Sequence, residues 1–117
     1  TPLSISKSKD WKFNSRISIV ESLEDTLLES VNCVMTDVFL SMNDEENDEK
    51  ISILKNYCVT SDLMSKTDPR SVFMHCLPAK VGLEVSEEVF RSEKSIVWRQ
   101  AYNRMVAQKN LLQLIYQ

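Results

Sequence analysis

Phe73-Met74-His75-Cys76-Leu77-Pro78 holds the chain's only histidine, one of its three cysteines and one of its three prolines. Val72, Phe73 and Met74 lead into it as a short apolar run, the pattern of a buried strand over residues 71 to 75. Pro78 stops that strand, because proline has no amide proton to continue a ladder, and it biases Leu77 towards an extended backbone. The polar chemistry of His75 and Cys76 therefore falls at a strand's carboxyl end. In open α/β sheets that is the edge at which ligands bind.

Working back from this strand, Ser61-Asp62 starts a short helical turn that Thr67-Asp68-Pro69 ends. The acidic group Asp44, Glu45, Glu46, Asp48 and Glu49 precedes the apolar pattern Ile51, Leu54, Tyr57, and most simply caps a helix at its positive end. Earlier still, Cys33, Val34 and Met35 read as a second buried strand ending at Thr36-Asp37. A helix of Leu23, Leu27, Leu28 and Val31 precedes it, opened by Ser22 and Asp25 and closed by Asn32. Ile17, Ile19 and Val20 form one more β-branched run. Thr1-Pro2-Leu3 and the Ser- and Lys-rich run to Lys9 look like a loop leaving a strand, so the chain is expected to begin mid-domain.

Downstream of Pro78, the single glycine, Gly82, sits in a loop before a short helix starting at Ser86 with Val89 and Phe90. One glycine cannot build a Gly-rich phosphate loop, so an anion must be held by side chains or helix termini. Ser95-Ile96-Val97-Trp98 is the last strand candidate. A long helix follows, with Ala101, Met105, Leu112 and Ile115 as an apolar stripe and Asn103 and Arg104 in its first turns. Short apolar strands alternating with helices predict an α/β fold, a small parallel sheet flanked by helices.

With 117 residues, 43% of them hydrophobic, the chain can bury one modest core and is expected to be one domain or a piece of one. A net charge of -3 and the lack of a basic stripe with interleaved aromatics exclude nucleic acid as a partner class. No apolar run reaches the roughly 18 residues of a membrane span, and the first residues lack the pattern of a signal peptide, so a soluble, cytoplasmic protein is expected. Cys33, Cys58 and Cys76 form no C-x-x-C pair and suggest neither a disulfide framework nor a zinc site. Taken singly, Cys76 fits inert packing, Asp37 a turn or cap, Arg104 a solvent-facing helix position and His75 a hydrogen-bonded structural residue, as readily as any functional role.

Taken together they carry more. His75-Cys76-Leu77-Pro78, with Gly82, Glu84-Val85 and Val89-Phe90, then Ser95-Ile96-Val97-Trp98 with Ala101, Asn103-Arg104, Gln108 and Leu111-Leu112, resemble the carboxyl-terminal signature of ornithine carbamoyltransferases. Thr36-Asp37-Val38 with Ser41-Met42 is similar to that family's ornithine-binding loop. The three ordered matches cover most of residues 31 to 115.

This resemblance implies transfer of the carbamoyl group of carbamoyl phosphate to the side-chain amine of L-ornithine, giving L-citrulline and phosphate, with no cofactor and no metal. It places residues 1–117 in the second, Rossmann-like, ornithine-binding domain, with that domain's first strand and helix and the whole carbamoyl phosphate-binding domain missing. Family members are similar in forming homotrimers in arginine biosynthesis or breakdown. Carried over by motif, Cys76 lies beside the reacting amine, Leu77 gives the carbamoyl group a main-chain contact, and Asp37 pairs with the α-ammonium. Ser41 and Met42 hold the α-carboxylate, Arg104 contacts the carbamoyl phosphate oxygens, and His75 supports near the carbamoyl oxygen. The glycine usual after Ser-Met is here Asn43, which tolerates the left-handed region better than most residues. Arg99 and Tyr102 stand where acidic residues are common in the family. A transcarbamylase with another acceptor such as putrescine, and an inactive fragment or interaction module, are the alternatives.

Overall fold

The computed structural model describes residues 28–40 and 48–116. The β-branched run at residues 17 to 20, most of the helix expected from Ser22, and Ser41, Met42 and Asn43 lie outside the described residues. After a 3-10 turn at Leu28–Ser30 come strand β1 (Cys33–Thr36), helices α1 (Asp48–Lys55) and α2 (Ser61–Ser65), strand β2 (Val72–His75), and helices α3 (Glu87–Arg91) and α4 (Val97–Ile115).

β1 and β2 pair in parallel, Cys33 with Val72 through to Thr36 with His75, with α1 and α2 in the crossover between them. A parallel pair needs such a long connection, since a tight turn joins only antiparallel strands. Side chains alternate across a strand, so Val34, Thr36, Phe73 and His75 share one face. On that face Phe73 and His75 are wholly buried, while Met35 on the other is 55% exposed. The core is Val59, Met64, Phe73, Val85, Val89 and Val97, edged by Val34, Leu63, Leu77 and Phe90. Burying a side chain such as Phe73 is worth about 1.5–3 kcal/mol. The small parallel sheet with helices is thus the expected α/β arrangement, its core on one face among the described residues.

The short helices begin where polar side chains can receive their first amides. Thr60 Oγ1 accepts from the Leu63 N–H at 3.3 Å and Ser86 Oγ from the Val89 N–H at 3.4 Å. Each satisfies a donor that the helix itself leaves orphaned.

Three expectations need correction. Ser95-Ile96-Val97-Trp98 is no strand: only Ser95 bridges to Phe73, through Phe73 N–H to Lys94 O and Ile96 N–H to Phe73 O. The next rung has no free partners, because the His75 N–H goes to Gln100 Oε1 at 3.0 Å and the Ile96 carbonyl takes the Gln100 N–H at 2.9 Å, opening α4 instead. The stripe Ala101, Met105, Leu112 and Ile115 is helical, but it faces no core: every described residue of α4 beyond Gln100 is exposed. Only the first turn, with Val97 buried, packs on the sheet, and the helix runs on past it. Leu77, finally, is not extended but left-handed, at φ 57°, before a cis peptide to Pro78. Its N–H donates to His75 Nδ1 at 2.9 Å.

Candidate functional site

The carboxyl ends of β1 and β2 lie side by side, so the residues that follow each strand meet. Cys76 Sγ donates to Asp37 Oδ1 at 2.7 Å, 39 positions apart in sequence. Asp37 also accepts the Val38 N–H at 2.6 Å. These contacts set the protonation of both groups. The Cys76 thiol and then the Val38 amide hold the Asp37 carboxyl below its ordinary value. The hydrogen bond to Asp37, then partial burial and the Asp37 charge, push the Cys76 thiol up. In this state Cys76 is a protonated donor, and the pair lies at the open rim, with Asp37 exposed.

One residue earlier the environment reverses. His75 is fully buried, and its Nε2 lies 2.9 Å from Glu84 Oε2, itself fully buried. The Leu77 amide can only donate, so Nδ1 must accept, and the ring is held as the Nε2–H tautomer. Glu84 takes two further donors: Phe39 N–H on Oε1 at 3.0 Å and Lys80 N–H on Oε2 at 2.8 Å. A buried carboxylate is costly unless so satisfied, and hydrogen bonds to a charged group contribute about 1.5–3 kcal/mol each. The backbone puts the carboxylate there. Glu84 O accepts the Val59 N–H at 3.0 Å and Glu84 N–H returns to Lys80 O at 3.1 Å, around Gly82 at φ 90°, a conformation glycine adopts without strain.

Of the residues singled out in the sequence, Asp37 and Cys76 are in contact and Leu77 follows directly. Its N–H is engaged by His75, leaving its carbonyl oxygen for any ligand. His75 has both ring nitrogens occupied by protein groups, Glu84 on one side and the Leu77 amide on the other. Arg104 is not brought to the pair; no hydrogen bond or ion pair joins it to Cys76 or Asp37 among the described residues. It is exposed and seven positions into α4 rather than at a helix start, beyond the reach of the dipole's first turn. It does share a helix face with Gln100, four residues before it, which grips the His75 amide. Arg99 and Tyr102 are exposed, as a surface position requires.

Glu84 and Gln100 went unremarked as site residues. Glu84 stood in the sequence as a lone acid between Leu83 and Val85, the signal of a buried carboxylate, whereas nothing near Gln100 distinguished it from a surface residue. Among the described residues no group of three or more His, Cys, Asp and Glu could hold a metal ion, and no helix is long and apolar enough to cross a membrane.

Comparison with known proteins places this geometry. Residues 3–115 match the family described as aspartate/ornithine carbamoyltransferase, Asp/Orn binding domain. The chain is 40% identical over 105 residues to an ornithine carbamoyltransferase of Rhodopseudomonas palustris (strain BisA53), covering 89% of the chain and 34% of that relative. It is 40% identical over 121 residues to one of Hydrogenovibrio crunogenus, covering 97% and 40%. Among solved structures, the ornithine carbamoyltransferase of Pyrococcus furiosus superposes with a TM-score of 0.66 at 41% identity, over 73% of this chain and 28% of that one. The anabolic enzyme of Campylobacter jejuni gives 0.67 at 34% identity, over 74% and 29%. The chain therefore spans about a third of the length of the curated relatives it matches.

Proposed function

The chain belongs to the aspartate/ornithine carbamoyltransferase family, through its Asp/Orn binding domain, and from that premise we propose that it supplies the ornithine side of an ornithine carbamoyltransferase. The observation that carries the reading is the 2.7 Å contact of Cys76 with Asp37 at the carboxyl ends of two adjacent parallel strands. A carboxylate held ionised at an open rim suits an α-ammonium, with a charge-assisted hydrogen bond as the reward for an amino acid over a bare diamine. Ser41 and Met42, a few residues along the same segment, take the α-carboxylate. The side-chain amine then comes to Cys76.

Such an amine has a pKa of about 10.4 in water and attacks only when neutral. An α-ammonium docked on Asp37 takes over the carboxylate that keeps Cys76 protonated. Released from the Asp37 hydrogen bond and charge that raise its pKa, the thiol loses its proton to solvent, and the thiolate takes one proton from the side-chain ammonium to leave a neutral amine. The amine lone pair attacks the carbamoyl carbon of carbamoyl phosphate, the carbon–oxygen bond to phosphate breaks with its electron pair going to phosphate, and the nitrogen's surplus proton passes to the departing phosphate. The Leu77 carbonyl oxygen steadies the carbamoyl NH2, and Arg104 meets the phosphate-side oxygens with a fork of donors suited to developing negative charge. On family resemblance alone, the same reading extends to a cytoplasmic homotrimer acting in arginine biosynthesis or breakdown.

The test is citrulline formation from ornithine and carbamoyl phosphate by the full-length protein. Cys76→Ala should lower kcat by about a hundredfold, the scale of a misplaced or missing group at the reacting centre. No citrulline from the wild-type protein would sink the reading, and faster turnover of putrescine than of ornithine would replace the acceptor.

A further inference from the structure

Glu84 is the buried charged group that the reaction above does not use, and its three hydrogen bonds reach both halves of the site. One arm runs from Oε1 to the Phe39 N–H at 3.0 Å, two residues after Asp37. The other runs from Oε2 to His75 Nε2 at 2.9 Å and on from Nδ1 to the Leu77 N–H at 2.9 Å, so that Cys76 lies between the two residues it fixes. The imidazole can relay in this way in one tautomer only. A carboxylate at Nε2 selects it, because it accepts and never donates. The Lys80 N–H on Oε2 at 2.8 Å and the backbone bonds to Val59 and Lys80 hold Glu84 itself still.

We propose that Glu84 is a positioning residue for carbamoyl transfer, setting the Asp37 loop directly and the Cys76-Leu77 turn through the His75 tautomer. The proposal rests on the reading of the chain as the ornithine side of a carbamoyltransferase. Through the first arm Glu84 governs ornithine binding, and through the second the placement of the reacting groups. Glutamine has the same size but one acceptor oxygen, so its NH2 must face either the Phe39 amide or the donors shared by Oε2, and one arm or both come loose.

The experiment is steady-state kinetics of Glu84→Gln in the full-length protein, beside a long-range nitrogen–proton spectrum of the His75 ring, assigned by its loss in His75→Gln. The wild type should show the Nε2–H tautomer and the variant a mixture. The variant's kcat should fall about 10- to 100-fold, as small misplacements at a reacting centre do, and its ornithine KM should rise about tenfold. A role in folding alone would lower kcat in step with the folded fraction and leave KM in place, so an unchanged ornithine KM overturns the proposal, as does an Nδ1–H tautomer in the wild type. If Glu84→Gln does not fold, His75→Gln decides. It keeps a donor for Glu84 but leaves the Leu77 amide without its acceptor, so kcat should fall with ornithine KM unchanged. Wild-type kcat, or a rise in that KM, overturns the division into two arms. Wild-type protein that makes no citrulline would remove the carbamoyltransferase reading instead, and the spectrum still tests the hold of Glu84 on the ring.

Discussion

His75 is sealed, with both ring nitrogens and its amide taken up by protein groups, whereas Cys76, the next residue, meets Asp37 at the open rim. The difference comes from the strand. Successive side chains point to opposite faces, so one peptide bond separates a group locked into the core side from one reaching the half-exposed rim. The two hydrogen-bonded pairs therefore have different work to do. Under the function proposed above, His75–Glu84 would set geometry in a dry setting, while Cys76–Asp37 would exchange partners where ligands can reach it.

The largest effect should come from breaking the dry pair. Glu84→Ala leaves the Phe39, Lys80 and His75 donors buried and unpaired, and should cost about 3–5 kcal/mol, read as a lower urea midpoint of the full-length protein. A midpoint like that of the wild type would mean that water replaces the carboxylate and the pair is not dry at all. Asp37→Asn sharpens the comparison from the wet side. The Asp37 hydrogen bond and charge raise the thiol's pKa, so removing the charge lowers it and increases the thiolate fraction at a fixed pH below that pKa. Alkylation of Cys76 by iodoacetamide at pH 8, followed by peptide mapping, should speed up by about three- to tenfold, with the urea midpoint unmoved. Slower or unchanged alkylation would show that Asp37 does not control the thiol. The smallest effect is expected at Ser86, whose hydroxyl caps α3 two residues after Glu84. Ser86→Ala should cost about 1 kcal/mol and leave Cys76 alkylation alone. A change there would tie the cap to the site.

Much of this could be read from residue order. Cys33 to Met35 and Val72 to Met74 are apolar, short and bounded by polar or proline signals, and they lie in the two described strands, although Cys33 and Met35 are exposed rather than buried. That both end in polar residues is why Asp37 and Cys76 could be expected at one edge. Ser95 to Trp98 misled because β-branched and aromatic residues suit a strand wherever a partner exists. The partner here is used up by Gln100, whose side chain caps the His75 amide and whose own amide starts a helix. The α4 stripe misled differently: helical periodicity reports a face, not what lies against it. Leu77 escaped because the bias that proline imposes on the residue before it is a tendency, which this turn does not follow. The placement of Glu84 depends on the Phe39 and Lys80 amides and the His75 ring, which no local pattern carries.

Gln100 gives α4 a mechanical character. The helix is pinned at its first turn to the last amide of β2, and from there to Tyr116 it extends about 24 Å at 1.5 Å per residue. It stands out as a long arm from the carboxyl-terminal edge of the sheet. A tilt of about 10° about Gln100 carries the Tyr116 end through about 4 Å by that same rise, while the pinned end at His75 moves by a small fraction of that.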